Sequence, residues 1–208
     1  AFETWKLAAS GRARVGETGV SLFASRTQTD GFREQSGTEQ VVAQARTVSQ
    51  LADNVRLSAI IHWFDSPRAD DPGGLTPEQF RATPSAAAAV NERFGTGEAV
   101  SQLQAGTRLV ASSDDARHRV EATVHAGLRD FSNAIPFRTV AFSRDFYGGL
   151  LVYRWEEEDW LSGHRLALGA ELQGQEDRRD NQGNRDGQPD GEVQLLQTEA
   201  ADSLGLFA

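Results

Sequence analysis

Arg117-His118-Arg119-Val120-Glu121-Ala122-Thr123-Val124-His125-Ala126-Gly127-Leu128-Arg129 alternates along its length. Val120, Ala122, Val124, Ala126 and Leu128 fall on one side of an extended chain. Arg119, Glu121, Thr123, His125 and Arg129 fall on the other. A period of two is the pattern of a strand, not of a helix. With a charge or polar group at nearly every second position, this segment must separate water from something apolar. Alternation alone leaves open whether that is a protein core or lipid.

The same pattern recurs on both sides of this segment. Val55, Leu57, Ala59, Ile61 and Trp63 oppose Arg56, Ser58 and His62, with Ile60 and Phe64 out of step. Leu166, Leu168, Ala170 and Leu172 oppose Arg165, Glu171 and Gln173. Weaker versions begin at Trp5, Val20, Val41 and Leu103, and another spans 146–157 with Leu151, Tyr153 and Trp155 opposite Arg154 and Glu156. A ninth is expected to begin near Ser203. Several runs reach about ten residues, enough to cross a bilayer when tilted. Trp5, Trp63, Phe131, Tyr147, Trp155 and Trp160 cluster towards strand ends, where interfacial aromatics belong.

Connector length gives the arrangement a direction. Short turns are expected around 15–19, 52–54, 112–116 and 157–163, the last carrying Trp160 and Leu161. Long loops are expected at 29–38, 65–98, 130–144 and 177–202, alternating strictly with the turns. Short turns at one end and long loops at the other predict an all-β, antiparallel up-and-down transmembrane β-barrel. Within 65–98, Thr76-Pro77-Glu78-Gln79 reads as a capping box with proline at the first helical position. A second start is expected at Thr83-Pro84, with Gly95 as the stop after Phe94. The fold class therefore includes a short helical segment in one long extracellular loop.

Composition is compatible with this and does not decide it. Net charge is −9, the hydrophobic fraction 38% and the mean hydropathy −0.49. These are values of an ordinary acidic soluble protein, but a barrel with a wet lumen gives the same averages. The acidic balance argues against nucleic acid as a partner. There is no cysteine for a disulfide or a thiolate metal site. No Gly-x-Ser-x-Gly elbow, HExxH or phosphate loop occurs, so no enzyme is expected.

Loop residues chosen as candidate ligand contacts are Phe32, Arg33, Phe131, Phe137 and Arg138. Aromatics and cations near a mouth suit an aromatic or anionic ligand, and interfacial packing with a solvated arginine explains them equally well. Polar residues placed in the lumen are Arg56, His62, Arg108, Glu121, His125, Arg129, Arg154 and Glu171. Lumen hydrogen bonding accounts for the two histidines better than a metal does. Asp180, Asn184, Asp186, Asp190 and Glu192 raise calcium but do not meet the EF-hand pattern, and a solvated loop is the favoured reading. No metal and no cofactor are expected.

Ser25-Arg26-Thr27-Gln28-Thr29-Asp30-Gly31-Phe32-Arg33 resembles the second strand and first external loop of TonB-dependent outer-membrane receptors. Phe64-Asp65-Ser66-Pro67, followed by Asp71-Pro72-Gly73-Gly74-Leu75-Thr76 and Gln79-Phe80, resembles the same family. So do Ala134-Ile135-Pro136, Tyr147-Gly148-Gly149 before Arg154-Trp155, and the closing Ser203-Leu204-Gly205-Leu206-Phe207-Ala208. Their order covers nearly the whole chain, and the siderophore-receptor-like branch is the nearest match. The resemblance implies a 22-stranded barrel around an N-terminal plug in the outer membrane of a Gram-negative bacterium. It implies import of a ferric siderophore or similar small cofactor, energised by TonB with ExbB and ExbD. Residues 1–208 would then be about nine strands of that barrel, without the plug. The alternatives are a passive porin-type channel and a soluble secreted β-sheet binding protein.

Overall fold

The computed structural model describes residues 2–158 and 163–208. Among the described residues, nine antiparallel strands form one sheet in chain order, each hydrogen-bonded only to its sequence neighbours. They are β1 (Trp5–Val15), β2 (Thr18–Thr29), β3 (Thr38–Ala52), β4 (Val55–Asp70), β5 (Gly97–Ser112), β6 (His118–Ile135), β7 (Arg138–Glu158), β8 (Gly163–Arg185) and β9 (Gln188–Phe207). The sheet is the wall of an up-and-down barrel. Among the described residues no helix is long and apolar enough to cross a membrane.

Register puts the apolar sets of all nine strands on one face. Leu22 opposes Ala45, Ala45 opposes Ile61, and Ile61 opposes Ala105. Ala105 then opposes Ala126, and further along the same face of β6 Val120 opposes Tyr153, which opposes Leu168. From Val55 to Trp63 this band runs for about 26 Å of strand at ~3.3 Å per residue. That matches the apolar belt of an outer-membrane barrel. Asp65, Ser101, Asp130 and Ser143 share the same face in one cross-strand row and end the band.

Nothing among the described residues covers this belt. Leu7, Ile61, Val124 and Leu151 stay 70%, 54%, 58% and 52% exposed, and only Ala87, Ala134 and Val152 are buried hydrophobics. Folding a water-soluble sandwich requires a second layer over such a face. Lipid removes the same area from water with no second layer.

The connectors correct part of the expected rhythm. At one end, the turn end, β1–β2 and β3–β4 are joined by Gly16-Glu17 and Asp53-Asn54, and β5–β6 by residues 113–117. Trp160 and Leu161 lie outside the described residues. At the opposite, loop end, residues 30–37 and 71–96 are genuine loops. The loops expected at 130–144 and 177–202 are instead continuous hairpins. Their turns are Pro136-Phe137, with Phe137 at φ 66°, and Asp186-Gly187, with φ 50° and 82°. Two positive φ values in an Asp-Gly pair make a type I′ turn, whose twist matches the strands it joins. The ninth strand accordingly starts at Gln188, not near Ser203, and runs twenty residues. Beyond the belt both faces of a strand meet water, so the alternation that marks a strand in sequence disappears.

The 71–96 loop holds α1 (Pro77–Ala82) and α2 (Ala89–Phe94). Thr76 Oγ1 accepts from the Gln79 amide, and the Thr76 amide donates to Gln79 Oε1, the reciprocal capping box. Gly95 ends α2 at φ 54°. Thr83-Pro84 does not start a helix: Thr83 is the C-cap of α1, and α2 begins only at Ala89.

Candidate functional site

All eight polar residues placed in the lumen by sequence lie on the face opposite the apolar belt. Two clusters form there. Towards the turn end, Glu121 accepts from Arg119 Nε at 2.8 Å and Arg154 Nη1 at 2.6 Å, and also from Arg108. One carboxylate therefore serves three guanidiniums. Among the described residues Arg56 makes only a long contact to Gln50 Oε1 at 3.4 Å. Arg46, Arg56, Arg108 and Arg119 line a hollow of about 430 Å³, so this part of an acidic chain is locally basic.

Nearer the loop end, strands β5 to β9 build a second hollow of about 430 Å³. Its rows follow from register. Gln102, Arg129, Arg144, Asp177 and Glu199 are paired in sequence across five strands. One step down come Gln104, Gly127, Phe146, Gln175 and Ala201, and then Gly106, His125, Gly148, Gln173 and Ser203.

The glycines decide its depth. A Cβ on Gly127 would collide with the Phe146 ring, and one on Gly148 with the His125 ring. Each ring thus lies over the backbone of the strand opposite instead of projecting into the hollow. Alanine at either glycine would lift a ring into the hollow. Strand glycines of this kind mark a close approach.

The charged groups of the upper row are unequally satisfied. Arg144 Nε and Nη2 donate to both oxygens of Asp177 at 2.6 Å, a bidentate pair whose carboxylate is 2% exposed. Arg179 Nε donates to Glu199 at 2.8 Å. Arg129 has no carboxylate or acceptor among the described residues, and its Nε is shielded from solvent without a partner. Its guanidinium lies 5.6 Å from the Phe131 ring centre, and Phe131 and Phe142 are 5.1 Å apart. His62, one strand beyond Gln104, also has a shielded, unpartnered Nδ1. Glu171 accepts from Gln173 Nε2 at 2.5 Å.

The five loop candidates are not brought together. Arg33 fastens the 71–96 loop: Nε donates to Ala86 O at 2.9 Å, Nη1 to Gly73 O at 2.6 Å and Nη2 to Pro72 O at 3.1 Å. Phe32 is 55% exposed and packs edge-on against Phe2 at 5.7 Å. Phe137 caps the β6–β7 hairpin against Phe94 at 4.3 Å. Arg138 Nε donates to Gln194 Oε1 at 2.9 Å. Phe131 joins the aromatic pair above the second hollow.

Sequence reasoning missed the parts that lock the loop end. Gln35 Nε2 donates to Asn91 O at 2.8 Å and Thr96 O at 3.0 Å. Asn184 Nδ2 donates to Phe94 O at 2.9 Å and Ile135 O at 2.8 Å, while its Oδ1 accepts from the Gly187 amide at 2.9 Å. Asn184 thereby ties α2 to two hairpin turns. The Asp186-Gly187 pair was the available signal, since it announces a hairpin whose neighbouring polar residues face structure rather than solvent. Among the described residues, no group of three His, Asp or Glu is arranged to hold a metal ion.

Among solved structures, the chain is similar to the ferric citrate transporter FecA in its unliganded form, with a TM-score of 0.70 and 17% sequence identity. The likeness covers 97% of this chain and 30% of that one, and at this identity it is a likeness of fold. The chain spans less than a third of that transporter's length. No family model matches the sequence.

Proposed function

We propose that these residues form nine strands of the 22-stranded barrel of a TonB-dependent transporter, in the outer membrane of a Gram-negative bacterium. The observation that carries the reading is the sorting of the sheet into two faces. One is an uncovered apolar belt ending at a row of Asp and Ser; the other is lined with arginine, glutamine and histidine. A wall between lipid and an aqueous lumen needs this division. Fold likeness to a solved transporter supports it, as does the family resemblance of the loop segments.

On this reading the polar face lines the lumen. The basic hollow around Arg46, Arg56 and Arg108 faces a plug contributed by the rest of the protein, and TonB with ExbB and ExbD acts through that plug. The imported ligand is a small molecule, a ferric siderophore or a similar cofactor. It enters past Phe32 and Arg138 at the mouth and meets Arg129 and Phe131 below. Arg33 and Phe137 hold the mouth in shape.

The test is uptake by the full-length protein in a Gram-negative host. Radiolabelled iron offered as ferric citrate and as a panel of ferric siderophores should enter for at least one member, and only with TonB intact. TonB-independent uptake at the same rate would favour a passive pore. Recovery of the full-length protein from the detergent-free soluble fraction would reject the membrane reading.

A further inference from the structure

We infer that the hollow on strands β5 to β9 is a binding subsite for a planar organic carboxylate, with Arg129 as its anion contact. The inference rests on the reading of the polar face as a lumen and names the chemistry that one part of that face recognises.

Charge bookkeeping within the hollow singles out Arg129. Arg144 is neutralised by both oxygens of Asp177, and Arg179 by Glu199. Arg129 is left with no acceptor, although its Nε is already withdrawn from solvent. A guanidinium in that condition lacks both hydration and a hydrogen-bond partner on one edge, an unfavourable state that an incoming oxyanion relieves. A carboxylate matches its fork geometry.

The rest of the hollow argues for a flat ligand. Phe146 and His125 lie down over Gly127 and Gly148, so the floor is ring surface rather than projecting side chains. Gln102 Nε2 donates to Gln104 Oε1 at 2.9 Å, which orients both amides, and Gln173 and Gln175 line the opposite side. Amides on both flanks supply donors and acceptors for hydroxyl or carbonyl oxygens at the ligand's far end. The volume of about 430 Å³ accommodates one aromatic ring with polar substituents.

The experiment compares 4-hydroxybenzoate with 4-hydroxybenzamide, equal in shape and different in charge, on the full-length protein in lipid nanodiscs by ligand-observed NMR titration. Insertion is checked first, by heat-modifiable migration. The acid should bind at least about tenfold more tightly than the amide, the scale of one charge-assisted hydrogen-bond pair. Arg129→Gln should remove that preference while leaving the weak amide affinity in place. Gly148→Ala, which lifts His125 into the hollow, should weaken both ligands. Equal affinity for acid and amide in an inserted protein, or an Arg129→Gln variant that retains the preference, overturns the inference and leaves the barrel reading standing. A protein that does not insert overturns both.

Discussion

Phe146 sits directly opposite Gly127 in the β6–β7 register and occupies the space that any side chain at Gly127 would need. The same relationship holds between His125 and Gly148, two residues along, on the same pair of strands. Large ring and bare backbone alternate between the two strands, which keeps the polar face smooth in its middle.

Gly127→Ala should therefore lift Phe146 and cost about 1–3 kcal/mol, the usual penalty for overpacking a fitted contact. Thermal loss of the folded, heat-modifiable form should shift down. Gly127→Ala combined with Phe146→Leu should recover part of the loss, because the smaller side chain vacates the ring contact while the new Cβ still meets Leu103 O at 2.9 Å.

Asn184→Ala should loosen the loop end. It leaves Phe94 O, Ile135 O and the Gly187 amide without their partner. The loss of three part-buried hydrogen bonds to backbone sets a local cost of about 2–4 kcal/mol. Amide hydrogen exchange should accelerate at Gly187 and around Phe94, with β5 and β6 inside the belt unchanged.

Arg33→Lys should behave almost as badly as Arg33→Ala. The three carbonyls are held by a planar fork spanning Pro72, Gly73 and Ala86, and an ammonium cannot reach all of them at once. Limited proteolysis within residues 71–96 should quicken in both variants. A lysine variant as resistant as the parent would show that charge, rather than geometry, holds the loop.

The 113–117 turn should be acid-sensitive. Asp115 is held below the usual carboxylate range, first by the Ser113 hydroxyl and then by the Arg117 amide. Its folded pKa is depressed, so its contribution is present above the ordinary carboxylate pKa and is lost as pH falls through the lower, folded value. The Arg117 amide resonance should titrate with an acidic midpoint, and Asp115→Asn should abolish that titration.

Legibility in the sequence followed the solvent around each strand. Inside the belt, Val120 to Leu128 announced both strand and face, because one face of the sheet is apolar and the other polar, which forces alternation. Beyond it, Phe131–Ile135 and the Asp177–Arg185 stretch read as loops, since a strand wet on both faces has no periodic constraint. Pro136 and the Asp186-Gly187 pair were the remaining clues, and Asp-Gly is the stronger of them. Parity placed Arg129 and His125 on the polar face. It could not show that Arg129 lacks a partner while Arg144 has one, because that depends on which strand supplies Asp177. Nor could it show that the Arg33 guanidinium turns inward onto loop carbonyls instead of outward to a ligand.

The two-faced wall is tested most directly by single-cysteine scanning of residues 119 to 128 in the full-length protein, with any cysteines elsewhere in it removed first. This stretch contains no cysteine of its own, so each introduced thiol is unique here. In liposomes, spin labels at Val120, Ala122, Val124, Ala126 and Leu128 should be relaxed by oxygen dissolved in the lipid. Labels at Arg119, Glu121, Thr123 and His125 should be shielded from that oxygen. A period-two oxygen profile across the strand is the predicted result. A flat profile, or relaxation of both sets by a water-soluble agent alone, would contradict it.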